Sequence, residues 1–217
     1  MDVIILAGGQ GSRMESEHPK ALVPLKNKPI LSYQLDYFLN SENVNKVVLA
    51  LGIRAGEIID YIQKEYTRSP LDFSIEMEQL GTGGAIKLAL SRCTSQFVLI
   101  INCDDITDID LTMLSNINDN TICVANPRLP FGLVKDKDGY AVFEEKPLLT
   151  DMWVSCGWCV LNRQQMLDII PDKASLEYDV YPKIQLKLYK HTGFWQPVNT
   201  KKDITEFESR ELPEIFK

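Results

Sequence analysis

Short apolar runs alternate with amphipathic stretches along the first half of the chain. The runs VIILA (residues 3–7), KVVLAL (46–51) and FVLIIN (97–102) are rich in β-branched residues, which predicts buried strands, and DFSIEME (72–78) predicts another. Apolar positions at helical spacing predict helices over residues 29–39, 57–66 and 83–91, the last with Thr82 as its N-cap. This alternation is typical of crossover units on a mainly parallel sheet.

The second half of the chain has a different pattern. TICVAN (121–126), FGLVKD (131–136) and GYAVFEE (139–145) are strand-like, and a turn through residues 136–139 predicts that the last two form an antiparallel hairpin. The pattern further predicts a strand over 153–161 and helices over 178–189 and 204–210. No repeat or linker-like composition interrupts the chain. We therefore expect one α/β domain over residues 1–217, with a mixed, mostly parallel sheet and helices on both faces.

Composition narrows the classes of partner. The 217 residues carry a net charge of −7, which argues against nucleic acid as a general partner because phosphate backbones are bound by surplus cations. No apolar stretch is long enough to cross a bilayer, and the first residues lack the features of a signal peptide. The five cysteines are odd in number and mostly lie in apolar runs, which is typical of reduced thiols. These observations predict a cytoplasmic protein with no membrane partner.

A glycine-rich segment, GGQG, follows the first predicted strand. Glycine tolerates positive φ and permits close approach, so such a turn can present backbone N–H groups to an anion, and Arg13 and Lys20 follow it. A dinucleotide-binding fingerprint would need glycine where Met14 stands and an acidic residue after the second strand, where Leu51 and Gly52 stand. A P-loop would need GK followed by Ser or Thr, which is absent. The segment alone predicts anion binding.

GGQGSRM followed by HPKAL (18–22) resembles the signature of the sugar-phosphate nucleotidylyltransferases. The resemblance spans nearly the whole chain and implies a Rossmann-like nucleotidyltransferase fold, with a nucleotide-binding half over about residues 1–120 and a sugar-binding half over about 121–217. It implies an enzyme that joins an NTP to a sugar 1-phosphate and releases pyrophosphate, with Arg13 and Lys20 as catalytic residues. The implied nucleotide-binding residues of the loop are Leu6, Ala7, Gly8, Gly9, Gly11 and Ser12.

The resemblance extends to the nucleobase and a metal. EQLGTGGAI (78–86) resembles the base-recognition segment, which assigns Gln79, Gly81 and Thr82 to the nucleobase. Asp104 falls on the metal position of the family, which makes it a catalytic residue and a ligand of Mg²⁺, although Cys103 replaces the usual glycine. GFWQPVNTKKD (193–203) resembles the closing segment and implies Asn199 as the second ligand, where many relatives carry aspartate.

Further segments imply the sugar site. FEEKP (143–147) resembles the motif whose glutamate holds sugar hydroxyls and whose lysine meets the sugar phosphate, which assigns Glu145 to the sugar and makes Lys146 a catalytic residue. The remaining implied sugar contacts are Gly132, Ser155, Gly157 and Glu177. Ser155 stands where relatives carry a sugar-contacting asparagine, so the segment leaves the sugar open.

Several alternatives remain open at the level of sequence. GTGGAI and SLEYDVYP resemble heptose or mannose 1-phosphate guanylyltransferases, EQLGTG resembles uridylyltransferases, and GFWQPVNT resembles glucose 1-phosphate cytidylyltransferases. GTP is the first candidate, and a CTP- or UTP-dependent transferase is the alternative. A catalytically silent nucleotide-sugar sensor on the same fold and a dinucleotide-dependent dehydrogenase are less favoured. Analogy with the family is compatible with a homodimer.

Overall fold

The strands of the computed structural model follow the predicted alternation. The structure describes residues 1–9, 16–67 and 69–216. The strands of this described part are β1 (Asp2–Leu6), β2 (Pro24–Leu25), β3 (Lys28–Pro29), β4 (Lys46–Leu51), β5 (Leu71–Ile75), β6 (Phe97–Asn102), β7 (Asp105–Thr107), β8 (Thr121–Ala125), β9 (Leu133–Lys137), β10 (Tyr140–Glu144), β11 (Val154–Asn162), β12 (Lys187–His191) and β13 (Trp195–Pro197). Every strand predicted from the pattern is present, including the hairpin of β9 and β10.

Seven strands form the central sheet, in the order β12-β8-β11-β6-β1-β4-β5. The pairs β1–β4, β1–β6, β4–β5 and β8–β12 are parallel, whereas β11 runs antiparallel to both β6 and β8. Six strands therefore share one direction and β11 alone opposes them, which confirms the prediction of a mixed, mostly parallel sheet.

Helices cover both faces of this sheet, as predicted. The α-helices of the described residues are α1 (Ile30–Leu39), α2 (Ala55–Glu65), α3 (Gly81–Leu90), α4 (Leu111–Ser115), α5 (Arg163–Ile169) and α6 (Lys201–Ser209). Side chains alternate along β1, so that Val3 and Ile5 join the core cluster under α1 and α2, while Ile4 joins the cluster under α3 and α5. The sheet thus lies between two apolar cores.

The predicted helix over 178–189 is wrong. The chain forms a π-helix at Leu176–Val180 and a 3-10 turn at Tyr181–Lys183, and then enters the edge strand β12. Pro182 supplies no N–H and so cannot continue a helical ladder. Beyond it the backbone pairs with β8, which satisfies the hydrogen-bonding groups that a helix would have satisfied.

Thr82 is not the N-cap of α3. The helix begins at Gly81 and its N-cap is Leu80, which offers no side-chain hydrogen bond. The Thr82 hydroxyl instead accepts a hydrogen bond from the N–H of Leu176 at 2.8 Å. A tertiary partner, which local sequence does not reveal, has taken the place of the local cap.

The last helix begins three residues earlier than predicted. Thr200 and Asp203 form a reciprocal capping box that starts α6 at Lys201. None of the helices in the described residues is long and apolar enough to span a bilayer.

Candidate active site

The carboxyl ends of β1, β4 and β6 meet at one edge of the sheet. Beyond the paired strands, the N–H of Ala7 donates to the carbonyl of Ala50 at 2.9 Å, and the N–H of Cys103 donates to the carbonyl of Leu6 at 3.2 Å. Gly8 and Gly9, called the glycine turn below, follow β1, and Asp104 follows β6. They therefore leave the sheet from adjacent parallel strands. In open α/β sheets this edge is where ligands bind.

Lys20, Asp104 and Asn199 converge at this edge. Lys20 lies in a short 3-10 helix, Lys20–Leu22, and its Nζ forms an ion pair with Oδ2 of Asp104 and donates to Oδ1 of Asn199 at 2.9 Å. The side chains of Lys20 and Asp104 are each 19% exposed, so the pair is reachable by a ligand but shielded from bulk water. Three residues predicted from separate motifs thus form one cluster.

The closing segment is held in place by backbone pairing. β13 pairs antiparallel with β7, and the N–H of Val198 donates to the carbonyl of Asp104 at 2.9 Å. The carboxylate of Asp203 then accepts from the N–H of Asn199 at 2.9 Å, which fixes the turn before α6. These bonds position the Asn199 amide against Asp104.

The oxygens of this cluster suit a hard cation. A carboxylate oxygen of Asp104 and the amide oxygen of Asn199 both contact the ammonium group of Lys20, so they already point at one cationic position. Oxygen ligands of this kind, with waters or substrate phosphates completing the shell, are what Mg²⁺ prefers. No group of three or more His, Cys, Asp or Glu side chains with metal-binding geometry occurs among the described residues, so a metal here would depend on such additional oxygens.

Asp105 lies behind the cluster and is buried. Its carboxyl group accepts hydrogen bonds from Asn102 Nδ2 at 3.1 Å and from Trp195 Nε1 at 3.0 Å. Burial, followed by the charge of Asp104, raises the pKa of Asp105 to about 7. Asp105 therefore connects the end of β6, through Asn102, with the closing segment, through Trp195.

Gly157 packs against this same carboxyl group. It has a φ of 76°, and a Cβ at this position would lie 1.9 Å from Oδ2 of Asp105. β11 is irregular between Ser155 and Cys159, and Gly157 lies within that bulge. The sequence assigned Gly157 to the sugar. The contact with Asp105 gives a structural reason for glycine at this position. Ser155 is exposed, and its assignment to the sugar stays a prediction.

The glycine turn is packed on one side and open on the other. A Cβ on Gly8 would lie 3.0 Å from the backbone nitrogen of Gly52, whereas a Cβ on Gly9 would meet no atom of the described residues within 4 Å. Ala7, Gly8, Gly9 and Gly52 line a cavity of about 330 Å³ together with Pro19 and the start of α2. Gly52, at the end of β4, is thus the residue that lets the turn approach the neighbouring strand. Gly11, Ser12 and Arg13 lie outside the described residues.

The GTGG segment packs tightly against residues 172–175. A Cβ on Gly81 would lie 2.5 Å from the carbonyl oxygen of Ala174, and one on Gly84 would lie 2.4 Å from that of Asp172. Both glycines are therefore required by backbone packing, whatever they contribute to a nucleobase.

A second small cluster joins Thr82 to Glu177. Oε2 of Glu177 accepts from the Thr82 hydroxyl at 3.2 Å and from the Ser175 hydroxyl at 2.9 Å. Residues assigned by sequence to the nucleobase and to the sugar are thus in direct contact. Gln79 is exposed immediately before Leu80.

Sequence reasoning missed Glu76, at the carboxyl end of β5. Its Oε2 accepts from the N–H of Leu80 at 3.1 Å, and its Oε1 would lie 3.3 Å from a Cβ on Gly52. The carboxylate therefore lies beside the glycine turn. Its position just after a parallel strand was the available signal.

The base of the β9–β10 hairpin brings Gly132, Glu145 and Lys146 together. The Phe143 ring covers Gly132, and Nζ of Lys146 lies 3.5 Å from Oε1 of Glu145. Lys146 has a φ of 44°, so its backbone turns sharply as the chain leaves β10. Within the described residues, no hydrogen bond or ion pair links this group to Lys20, Asp104 or Asn199.

The chain is similar to known nucleotidyltransferases. Residues 3–127 match the family model of the MobA-like NTP transferase domain. The chain is 33% identical over 204 residues to the D-glycero-alpha-D-manno-heptose 1-phosphate guanylyltransferase of Aneurinibacillus thermoaerophilus, covering 87% of this chain and 88% of that protein. It is 29% identical over 220 residues to the protein of the same name from Campylobacter jejuni, covering 95% and 98% of the two chains.

Solved structures are similar to this chain as well. The crystal structure of HddC from Yersinia pseudotuberculosis complexed with GMP-PN is similar with a TM-score of 0.76 and 28% identity, over 95% of this chain and 97% of that one. A putative glucose-1-phosphate thymidylyltransferase from Bacillus anthracis, at 16% identity and a TM-score of 0.71 over 99% and 98% of the two chains, shares the fold. The resemblance inferred from the motifs is confirmed: the chain belongs to the MobA-like NTP transferase domain family and is a nucleotidyltransferase.

Proposed function

We propose that this protein transfers a guanylyl group from GTP to a sugar 1-phosphate, giving a GDP-sugar and pyrophosphate. The observation that carries the proposal is the convergence of Lys20, Asp104 and Asn199 beside the glycine turn. The guanylyltransferase names of similar proteins support GTP as the nucleotide and a heptose or mannose 1-phosphate as the acceptor.

In this reaction an oxygen of the sugar phosphate attacks the α-phosphorus of GTP in line with the departing pyrophosphate. The phosphate monoester is already largely ionised at neutral pH, so no protein nucleophile is required. Lys20, and Arg13 by resemblance, would offset the charge that develops on the α-phosphate and the leaving group. Lys146 would orient the phosphate of the acceptor, with Gly132, Glu145, Ser155, Gly157 and Glu177 around the sugar.

A divalent metal fits the same site. Asp104 and Asn199 would hold Mg²⁺, which when bound would neutralise charge on the triphosphate. Lys20 contacts both of these oxygen atoms, and its ammonium group would add positive charge beside the triphosphate. The chain's own contribution is to hold the two oxygens and the lysine at the edge of the sheet.

Glu76 supplies a reason for guanine. The N1–H and the amino group of guanine are two adjacent donors, and a carboxylate offers two acceptor oxygens that match them. Glu76 lies beside Gly52 and the glycine turn, where a base could also reach Gln79, Gly81 and Thr82. Uracil, with one donor on that edge, would match a carboxylate less well.

The wider organisation follows from this proposal. Residues 1–120 would form the nucleotide half and residues 121–217 the sugar half, with the Thr82–Glu177 contact at their junction. The five cysteines are buried and unbridged, which supports a reducing cytoplasmic setting. A homodimer remains an expectation from family analogy.

A matrix of nucleotides and acceptors tests the function directly. ATP, GTP, CTP, UTP and dTTP are each combined with a panel of sugar 1-phosphates, and pyrophosphate release and product mass are measured. We expect GTP with a heptose or mannose 1-phosphate to give the highest kcat/KM. A preference for CTP or UTP would overturn the guanine assignment, and pyrophosphate release from no pair would overturn the transferase proposal.

A further inference from the structure

A cleft of about 550 Å³ lies beside the closing segment. Besides Lys146, it contains three cations that the proposed reaction does not use, Arg128, Lys202 and Arg210. One wall is a short ribbon in which the N–H of Leu129 donates to the carbonyl of Pro147 at 3.0 Å and the N–H of Leu149 donates to that of Pro127 at 2.9 Å. The other wall is α6 and the residue that follows it, Arg210. Lys20, Asp104 and Asn199 do not line this cleft.

Both walls present positive charge. Arg128 and Lys146 lie on the ribbon, and Lys202 and Arg210 lie on the α6 side. An adjoining cavity of about 520 Å³ is lined by the same four side chains. This cluster of positive charge is opposite in sign to the net charge of the chain, −7.

The carboxylates of the cleft do not balance these cations. Asp203 accepts from the N–H groups of Asn199 and Thr200, at 2.9 and 2.8 Å, in the capping box of α6. Glu145 lies on the rim with Lys146. Glu206 is then the one remaining carboxylate among the described lining residues, for three cations, Arg128, Lys202 and Arg210. Within the described part of the chain, neither Arg128 nor Lys202 forms an ion pair.

Arg210 is held in place rather than free to leave the cleft. Its guanidinium donates to Oε1 of Gln196 and lies 5.1 Å from the centre of the Phe194 ring. Burial lowers the pKa of Arg210, the nearby charge of Arg128 lowers it further, and Glu206 acts in the opposite direction. Arg128 and Arg210 line the same cleft, so an anion bound between them would offset the repulsion of their like charges.

We propose that this cleft is a second anion site, which binds an oxyanion group of a small molecule, a phosphate or a carboxylate, through Arg128, Lys202 and Arg210. Guanidinium groups bind such oxyanions in a bidentate manner, and Lys202 adds a further positive charge from the first turn of α6. The oxyanion belongs either to the far end of the acceptor sugar or to a separate anionic molecule. Binding needs no turnover, so failure of the GTP proposal would leave this one standing.

The test is calorimetric titration of the full-length, nucleotide-free protein with inorganic phosphate. The double variant Arg128→Gln/Lys202→Gln removes two exposed cations, and Lys64→Gln on α2 is the matched control, with its side chain 82% exposed. We expect the wild type and the control to bind two phosphates per chain, and the double variant to bind one of them about 10- to 100-fold more weakly. Equal phosphate binding by the double variant and the control would overturn the proposal, provided that their unfolding midpoints agree.

Two further titrations identify the source of the anion. If the acceptor supplies it, glucose 1,6-bisphosphate binds the wild type at least about tenfold more tightly than glucose 1-phosphate, and the double variant loses that gain. If a separate molecule supplies it, saturating glucose 1-phosphate leaves inorganic phosphate still able to bind at the second site. Either result supports the site. Phosphate that is displaced completely by glucose 1-phosphate, with no gain for the bisphosphate, would show a single anion site and overturn the proposal.

Discussion

The side-chain nitrogen of Lys20 lies 2.9 Å from Oδ1 of Asn199, although the two residues are 179 positions apart in the chain. Lys20 follows the glycine turn and Asn199 precedes α6, so this contact joins the first motif of the chain to the last one. Asp104 completes the contact from the end of β6. A site built in this way depends on all three elements at once.

Replacement of Lys20 by Gln should reduce kcat/KM for pyrophosphate release by about 10²- to 10³-fold, because a positive charge directed at the transferring phosphates is lost. Steady-state kinetics with GTP and the preferred acceptor measure the effect. Lys187→Gln is the control, since this lysine is 70% exposed on the edge strand β12. Wild-type kinetics for Lys20→Gln would remove Lys20 from the catalytic machinery.

Replacement of Asn199 by Asp should lower the Mg²⁺ concentration needed for half-maximal activity by about tenfold, since a second carboxylate adds charge to the ligand set. Mn²⁺ binding followed by electron paramagnetic resonance gives a readout that does not depend on turnover. If the variant binds Mn²⁺ no more tightly than the wild type, Asn199 is not a metal ligand.

Replacement of Glu76 by Gln should reduce kcat/KM for GTP by at least about 10²-fold, because one acceptor for the guanine donors becomes a donor itself. Activity with UTP, relative to GTP, should rise. Glu78→Gln tests the same loss of charge two residues away, on a side chain that is 75% exposed. Equal effects of the two substitutions on the GTP to UTP ratio would argue against base recognition by Glu76.

Replacement of Gly157 by Ala should lower the free energy of unfolding by about 2–5 kcal/mol, since the new Cβ would overlap the Asp105 carboxyl group and adopt a positive φ. Substitution of Gly139 separates the effect of the overlap with Asp105 from the effect of the positive φ. Gly139 has a φ of 85°, and none of the residues that the structure describes would lie within 4 Å of its new Cβ, so Gly139→Ala should cost only about 1–2 kcal/mol. Urea denaturation of both variants measures the difference, and equal losses would show that contact with Asp105 contributes nothing.

The buried carboxylate of Asp2 should make stability depend on pH at the acid end. Burial raises its pKa, but hydrogen bonds from Ser95 and Thr94 outweigh this and leave the pKa below its usual value. A carboxyl group with a lowered pKa in the folded state stabilises the protein above its unfolded pKa of about 4, and this contribution is lost as the pH falls through the folded value.

Asp2→Asn should therefore lower the free energy of unfolding by about 1–3 kcal/mol at pH 7, and the difference from the wild type should shrink below pH 4. Urea midpoints at several pH values measure it. Asp60→Asn on the exposed face of α2 is the control. A difference that is the same at pH 7 and pH 3 would contradict the linkage.

Much of the fold could be predicted because a strand is recognisable from the side-chain pattern of a few consecutive residues. The alternation of apolar residues in β1, with Val3 and Ile5 on one face and Ile4 on the other, predicts a strand buried on both sides. The segment 178–189 was mispredicted because its backbone groups are satisfied by β8, a partner 60 or more residues away that periodicity does not reveal. The same distinction between local pattern and distant partners applies to the candidate site. Lys20, Asp104 and Asn199 stand in short motifs, whereas Glu76 matters only through its place beside Gly52.

The sequence by itself determined the class of fold and singled out Lys20, Asp104 and Asn199 as candidate site residues, because the fold depends on local periodicity and these residues stand in motifs with fixed spacing. Only the tertiary structure decided why Gly157 and Gly84 are glycines, since the atoms that exclude a Cβ come from Asp105 and Asp172, which are distant in the chain. It also decided that Arg128 and Arg210 line one cleft. Close packing and charge depend on distances in space, and the order of residues does not contain those distances until the chain has folded.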